Sequence, residues 1–288
     1  MRIFQLNRVL INKLDYFCWM INLRKYLDFY IQSSIHVGLA VFCLLYVTLL
    51  ELDLSLQINF ASCLFFGTVL AYTVLKYWDY LVVKKQITTY LKRILLVNSF
   101  ALLGFVFFFL RLDYWQQWRI VLGGLLVLIY PFFRRFGAIK IFWVSLVIGY
   151  MTVYVPLQSV PCLSVNCILA WSKRFCIATA LMVPFEIYDY KYDKATLKTL
   201  PHLIGVTRVK YLGYFFLILF WCLNLFEKPF FWDLPDAIKI IGIQICVSLL
   251  IILSIYNITI NRTKYFTTFW VESIPIFWAL GLVFLKQI

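Results

Sequence analysis

The chain has 288 residues, of which 64% are hydrophobic, 20% aromatic and only 14% charged, with a mean hydropathy of +0.87. Soluble domains average about 45–50% apolar and roughly 25% charged residues, so this composition excludes a soluble enzyme and a disordered protein. The apolar residues form long unbroken runs, unlike the short alternating segments of a membrane β-barrel. The sequence therefore predicts an all-α polytopic membrane protein.

Residues 1–30 alternate apolar and basic side chains, which predicts an N-terminal amphipathic segment lying on the membrane surface. The remainder, 31–288, is predicted to be a single membrane domain with nine transmembrane helices of about 20 residues each. The apolar stretches that predict these helices cover approximately 32–50, 57–75, 93–110, 118–133, 139–157, 167–187, 209–226, 237–257 and 269–286.

The net charge of +14 comes from 27 basic and 13 acidic residues. Counted by side of the nine-helix topology, twenty Lys and Arg residues lie on one side and seven on the other. The positive-inside rule then predicts a multi-pass protein of the cell (inner) membrane, with a cytoplasmic N-terminus and an external C-terminus. Because the basic residues do not form a soluble basic module, we expect no nucleic-acid partner.

Ionisable residues inside the helices bear on a transporter function. Apart from His36, mid-helix positions are expected to be nearly free of such residues, which argues against a transporter or channel. We expect His36 itself to pack or to form a hydrogen bond between helices, and we expect Glu272 to lie at the membrane interface.

Three carboxylates follow one another at the end of the sixth apolar stretch. Glu186, Asp189 and Asp193 are spaced i, i+3, i+7, so they share one helical face, and their charges repel unless a cation lies between them. Carboxylate oxygens suit Mg²⁺, which commonly joins one or two carboxylates to substrate phosphates. The alternative is a solvated helix end whose charge is balanced by Lys191, Lys194 and Lys198.

The segment from Glu186 to Gly205, with its Thr199-Leu200-Pro201 sequence, resembles the second aspartate motif of the UbiA-type prenyltransferase superfamily. The segment Tyr130-Pro131-Phe132-Phe133-Arg134-Arg135 is similar to a Tyr-Pro-x-x-Lys-Arg segment of that family, and Met151–Pro156 fits its fifth helix. The resemblance implies nine helices around a central cavity, with two aspartate-rich motifs that face each other and hold Mg²⁺ on a prenyl diphosphate.

The first aspartate motif of that family is nearly missing here. The corresponding stretch, 67–80, keeps one carboxylate, Asp79, and carries Lys76 where the family is acidic. Two outcomes are open at this point. Lys76 replaces the positive charge of a metal on the diphosphate, or the site no longer ionises a prenyl diphosphate and binds a lipid instead.

The resemblance implies transfer of a prenyl group from a polyprenyl diphosphate to a lipophilic or aromatic acceptor. The partners are then the diphosphate donor, that acceptor and membrane lipid, and the cofactor is Mg²⁺. The alternative is a catalytically silent UbiA-like protein that binds an isoprenoid lipid or a membrane partner. The predicted catalytic residues are Asp189, Asp193, Lys76 and Asp79, and the predicted metal ligands are Glu186, Asp189 and Asp193. The candidate diphosphate contacts are Arg134, Arg135, Lys194 and Lys198, for which positive-inside anchoring is the alternative role. Three aromatic residues, Tyr72, Tyr188 and Tyr192, lie near the predicted site.

Overall fold

The computed structural model describes residues 24–78, 80–81, 88–134, 136–157, 165–192, 199–226 and 234–287. Within these ranges the backbone is helical and contains no strand. Lipid cannot accept or donate backbone hydrogen bonds, so spanning segments satisfy their own N–H and C=O groups as helices. The predicted all-α membrane architecture is confirmed.

Eleven α-helices follow one another in the described ranges. They are α1 Arg24–Gln32, α2 Ile35–Glu51, α3 Ile58–Trp78, α4 Thr89–Phe109, α5 Tyr114–Arg134, α6 Lys140–Gly149, α7 Val165–Asp189, α8 Leu200–Ile204, α9 Val206–Phe226, α10 Leu234–Asn257 and α11 Ile274–Gln287. Two π-helical segments, Tyr150–Tyr154 and Phe266–Val271, extend α6 and precede α11. Among the described residues, eight helical units are long and apolar enough to cross a membrane, and α1 with α2 forms a ninth span if that bent pair is counted as one.

The helices pack as a closed ring around the core. Each helix of the ring contacts the next in the order α2, α3, α5, α6, α7, α9, α10 and α11, and α11 contacts α2 to close the ring. Helix α4 packs on the outside of α3. The α7 span is 56% buried, whereas the α4 and α5 spans are each 17% buried. Helix α7 contacts α6, α8, α9 and α10, so its C-terminal end, where the carboxylates lie, is surrounded by other helices.

The junction between α1 and α2 bends by 61°. Ser34 adopts a left-handed conformation there, with φ of 63°, and its Oγ accepts a hydrogen bond from Thr73 Oγ1 of α3 at 2.9 Å. His36, two residues later, is buried, and its ring nitrogens form hydrogen bonds with Tyr30 Oη at 3.0 Å and with the Phe269 carbonyl at 3.1 Å. The expectation that His36 forms an interhelical hydrogen bond is therefore confirmed.

Helix α1 is held against the segment that precedes the second π-helix. Asp28 accepts hydrogen bonds from Lys264 Nζ at 2.6 Å and from Tyr265 Oη at 2.9 Å. Burial lowers the pKa of Lys264, but the hydrogen bond and charge of Asp28 outweigh it, so this pKa lies above its ordinary value. Burial raises the pKa of Asp28, but the hydrogen bonds from Lys264 and Tyr265 outweigh it, so that pKa lies below its ordinary value. The pair therefore persists through the neutral range and is lost as alkaline pH deprotonates Lys264 or as acid pH protonates Asp28.

Two glycines test how tightly the ring is packed. A Cβ atom built on Gly149 would lie 2.6 Å from Cδ1 of the Trp171 indole, whereas one on Gly124 meets nothing within 4 Å. We predict that Gly149→Leu lowers the free energy of unfolding by about 1–3 kcal/mol. Gly124→Leu serves as the matched control and should change it by less than about 0.5 kcal/mol. Thermal unfolding of both variants in detergent checks this, and equal losses would contradict close α6–α7 packing.

Candidate active site

The bundle has two ends, which we name for what they hold. The site end contains the C-terminal ends of α3, α5 and α7 and the start of α6, and the far end is opposite. On α3, Tyr72 and Lys76 are four residues apart and so lie on one face. Tyr72 is 37% exposed, yet it lies within electrostatic range of Glu272, Asp189 and Tyr130. Tyr72 and these groups from three other segments define what we call the candidate cavity.

Glu272 contributes an acidic group to this cavity. It follows the π-helix Phe266–Val271 and precedes α11, and its carboxylate interacts electrostatically with the Lys76 ammonium. Its Oε2 is buried and has no hydrogen-bond partner in the described part of the chain. π-helical turns frequently occur at functional sites because they redirect the side chains that follow. The expectation that Glu272 lies at the membrane interface stays a prediction, and its electrostatic partner Lys76 belongs to the same end of the bundle.

A buried lysine pairs with the acidic face of α7. Lys140 Nζ lies 3.1 Å from Glu186 Oε1 and 3.9 Å from Asp189 Oδ2. The side chains of Lys140 and Glu186 are only 8% and 2% exposed, whereas that of Asp189 is 48% exposed. Two of the three carboxylates thus share one face, as their spacing predicts. The cation that relieves their repulsion is a side chain of α6.

The described residues by themselves do not fit a Mg²⁺ pair. Lys140 already neutralises the acidic face of α7, and the α3 end presents Lys76 instead of carboxylates. No group of three or more His, Cys, Asp or Glu side chains in the described ranges could hold a metal ion. Mg²⁺ binding therefore stays a prediction, and it depends on Asp79 and Asp193, which lie outside the described residues.

The Thr199-Leu200-Pro201 sequence packs beside the end of α7. Thr199 Oγ1 and His202 Nδ1 are hydrogen-bonded at 2.6 Å, and the His202 ring lies 4.3 Å from that of Tyr190. Gly205 ends the short α8 with φ of 82°, a conformation that favours glycine. Helix α8 contacts α7 and also the turn Gly137–Ile139, which leads into Lys140. This sequence therefore supports the segment that carries the lysine.

Only some of the other predicted site residues belong to the part of the chain that the structure describes. Tyr188 lies on α7, and its ring packs on that of Tyr192 with centroids 5.5 Å apart. Arg134 ends α5, but its side chain is not among those described. The remaining predicted residues, Arg135, Lys194 and Lys198, lie outside the described ranges, and so does the segment 1–23 of the predicted amphipathic region.

Three ionisable residues were misplaced or missed by sequence reasoning. Lys140 is one of the basic residues counted for the positive-inside rule, and no sequence pattern connects Glu272 with Lys76. Arg174 is 4% exposed and belongs to α7, so the expectation of mid-helix positions nearly free of ionisable groups is wrong. A local signal existed for Arg174 because it lies inside an apolar stretch, but the partners of all three come from distant parts of the chain.

Solved structures with the same arrangement of helices are UbiA homologues. The apo structure of a UbiA homologue from Aeropyrum pernix K1 matches with a TM-score of 0.64 and 13% identity, over 88% of this chain and 99% of that one. A UbiA homologue from Archaeoglobus fulgidus matches with a TM-score of 0.57 and 16% identity, over 90% and 100%. No family model and no curated protein sequence matches the chain. The chain therefore has the UbiA fold, as its sequence predicts.

The Lys140–Glu186 pair gives a stability test. Removing one partner of a buried ion pair costs about 3–5 kcal/mol because the other charge is left uncompensated. We expect Lys140→Met to lower the unfolding free energy by that amount, and adding Glu186→Met to restore most of it. The control is Lys264→Met, since that lysine pairs with Asp28 in a more exposed setting and should cost at most about 1 kcal/mol. Equal effects of the two single variants would contradict the buried pair.

Proposed function

We propose that this protein is a UbiA-like integral membrane prenyltransferase that moves a prenyl group from a polyprenyl diphosphate to a lipophilic or aromatic acceptor. The observation that carries the proposal is the convergence of α3, α7 and the segment before α11 on one cavity. Tyr72 lies within electrostatic range of both Asp189 and Glu272, and Lys76 lies within electrostatic range of Glu272. The UbiA fold, with the aspartate-motif resemblance at the end of α7, supports the same assignment.

Lys76 is the proposed anchor for the diphosphate. Its side chain is exposed to the cavity, and one hydrogen bond of 3.4 Å joins Nζ to the Ile31 carbonyl. A lysine ammonium acts as a point charge on phosphate oxygens, and it stabilises the charge that develops when the donor carbon–oxygen bond breaks. Asp189, which is half exposed beside Lys140, is proposed to orient the donor from the opposite wall.

The acceptor must lose a proton when the new bond forms. The bond to the diphosphate breaks with its electron pair on oxygen, the prenyl carbon bonds to the acceptor, and the acceptor releases H⁺. We propose Glu272 as the group that takes this proton, because its Oε2 faces no hydrogen-bond partner among the described residues. Such a base must lie within hydrogen-bond reach of the acceptor. Its electrostatic interaction with Lys76 supports a position beside the proposed donor site.

A second candidate function is that of a catalytically silent UbiA-like protein that binds an isoprenoid lipid or a membrane partner. The observation that favours it is the Lys140 contact, which neutralises two carboxylates of the motif resembling a metal site. A protein of this kind would bind prenyl diphosphate or its lipid product and would release no diphosphate.

Substitution of Lys76 separates the two candidates. Lys76→Gln should reduce the rate of diphosphate release from farnesyl and longer prenyl diphosphates by about 10- to 100-fold, the effect of losing one charged hydrogen bond. Lys92→Gln is the matched control because Lys92 is an exposed lysine near the same end of the bundle, on α4. Unchanged release in Lys76→Gln would contradict the anchor. No release by the unmodified protein, with plausible acceptors present, would favour the silent protein.

Removal of Mg²⁺ tests whether Lys76 supplies part of the positive charge that a metal ion would otherwise provide. If Lys76 supplies part of the charge of a metal, the unmodified protein should keep measurable diphosphate release at Mg²⁺ concentrations that leave Lys76→Gln inactive. The measurement is a titration of release against free Mg²⁺ buffered by a chelator, for both proteins. Identical Mg²⁺ curves would contradict this role of Lys76. Full activity of an Asp189→Ala, Asp193→Ala double variant would argue against the active site as a whole.

A further inference from the structure

The far half of the bundle holds a set of buried hydrogen-bond donors that the proposed reaction does not use. Arg174 of α7 and Trp278 of α11 are only 4% and 2% exposed. Arg174 Nε and Nη1 and Trp278 Nε1 have no hydrogen-bond partner in the described part of the chain. The guanidinium carbon lies 5.1 Å from the centroid of the Trp278 ring. Unpartnered donors from two helices are thus brought close together.

These donors lie deep in the membrane domain. Arg174 is nine residues from the start of α7 at Val165 and fifteen from its end at Asp189. At 1.5 Å per residue, it lies about 14 Å from the far end of the helix and about 22 Å from Asp189. The donor set is therefore separate from the candidate active site.

The neighbouring polar groups satisfy Arg174 only in part. Its Nη2 donates to Thr48 Oγ1 at 2.8 Å. Glu51, at the end of α2, interacts with it electrostatically, but Glu51 Oε1 accepts a hydrogen bond from Gln244 Nε2 at 2.8 Å. The positive charge of Arg174 thus has a counter-charge, whereas its Nε and Nη1 groups have no acceptor oxygen among the residues that the structure describes.

A buried donor without an acceptor is costly, and more so when it is charged. Ionisable residues at membrane depth are rare for this reason and commonly mark a binding site or pathway. Guanidinium and indole N–H groups only donate, so their partner must present acceptor oxygens. Trp278 also belongs to the hydrophobic cluster that includes Leu44, Val247 and Leu282, so the rest of the partner must be apolar.

We propose that Arg174 and Trp278 bind a carboxyl or carbonyl oxygen carried by an apolar molecule of the bilayer. The oxygen accepts hydrogen bonds from the guanidinium and the indole, and the hydrocarbon part packs among the buried aliphatic side chains. A fatty carboxylate and a neutral lipophilic ketone share this chemistry. Glu51 already balances the charge of Arg174, so charge alone does not select between them.

The test measures binding to the full chain purified in detergent. Three probes of equal chain length, decanoate, 2-decanone and decane, are compared by equilibrium dialysis. We expect saturable binding of about one decanoate or one 2-decanone per chain and none of decane, and the tighter of the two identifies the class of ligand. No saturable binding of either oxygen-bearing probe would overturn the proposal.

Two variants locate the binding. Trp278→Phe keeps an aromatic ring but removes the N–H group, and it should weaken binding of the better probe about three- to tenfold. Arg174→Met should weaken it by more than about tenfold. The matched control is Trp221→Phe, because the Trp221 indole already donates to Ser248 Oγ at 3.2 Å, and its affinity should equal that of the unmodified protein.

Unchanged affinity in Trp278→Phe, or an experimental map with only ordered water on these three nitrogen atoms after soaking with the probe, would overturn the site. If Arg174→Met does not fold, Trp278→Phe still decides. Because binding is read without turnover, failure here and failure of the proposed transferase activity are distinguishable.

Discussion

A charge buried inside a membrane protein needs a partner, and the site end of this bundle is built around one such pair, Lys140 with Glu186. Desolvating either group alone is costly, so the pair holds the start of α6 against the end of α7. Asp189 lies within 3.9 Å of the same ammonium and is half exposed to the site. The contact that fixes two helices thus also sets the charge of the site.

Lys76 and Glu272 are a second pair of opposite charges at the site end, and this pair is satisfied less completely. Lys76 and Glu272 interact across the site end, but a carboxylate oxygen of Glu272 has no hydrogen-bond partner among the described residues. A buried polar atom without a partner costs stability, and proteins retain such atoms mainly where function needs them. The short ion pair fixes the position of Lys140 against Glu186, whereas the Lys76 side chain is exposed at the site. This difference in exposure supports the proposal that Lys76 binds the donor.

Much of the fold could be predicted from the sequence because its signals are local. Apolar runs long enough to cross a bilayer locate the helices, and the 3.6-residue period places Glu186 and Asp189 on one face. The candidate site was predicted less completely. Lys140 is 46 positions before Glu186, and 196 positions separate Lys76 from Glu272, so no local pattern could reveal either contact. The π-helix that precedes Glu272 has no clear sequence signal either.

The sequence by itself determined an all-α membrane protein, the approximate limits of its spanning helices and an acidic face at the end of α7, since each depends on neighbouring residues. Only the tertiary structure decided which cation that face would contact and which ionisable groups would lie inside the ring. Arg174 illustrates the difference: its place in α7 can be read from the chain, but its position over Trp278 depends on how α7 packs against α11. The environment of a buried charge depends on the groups that contact it, and helix packing determines which groups those are.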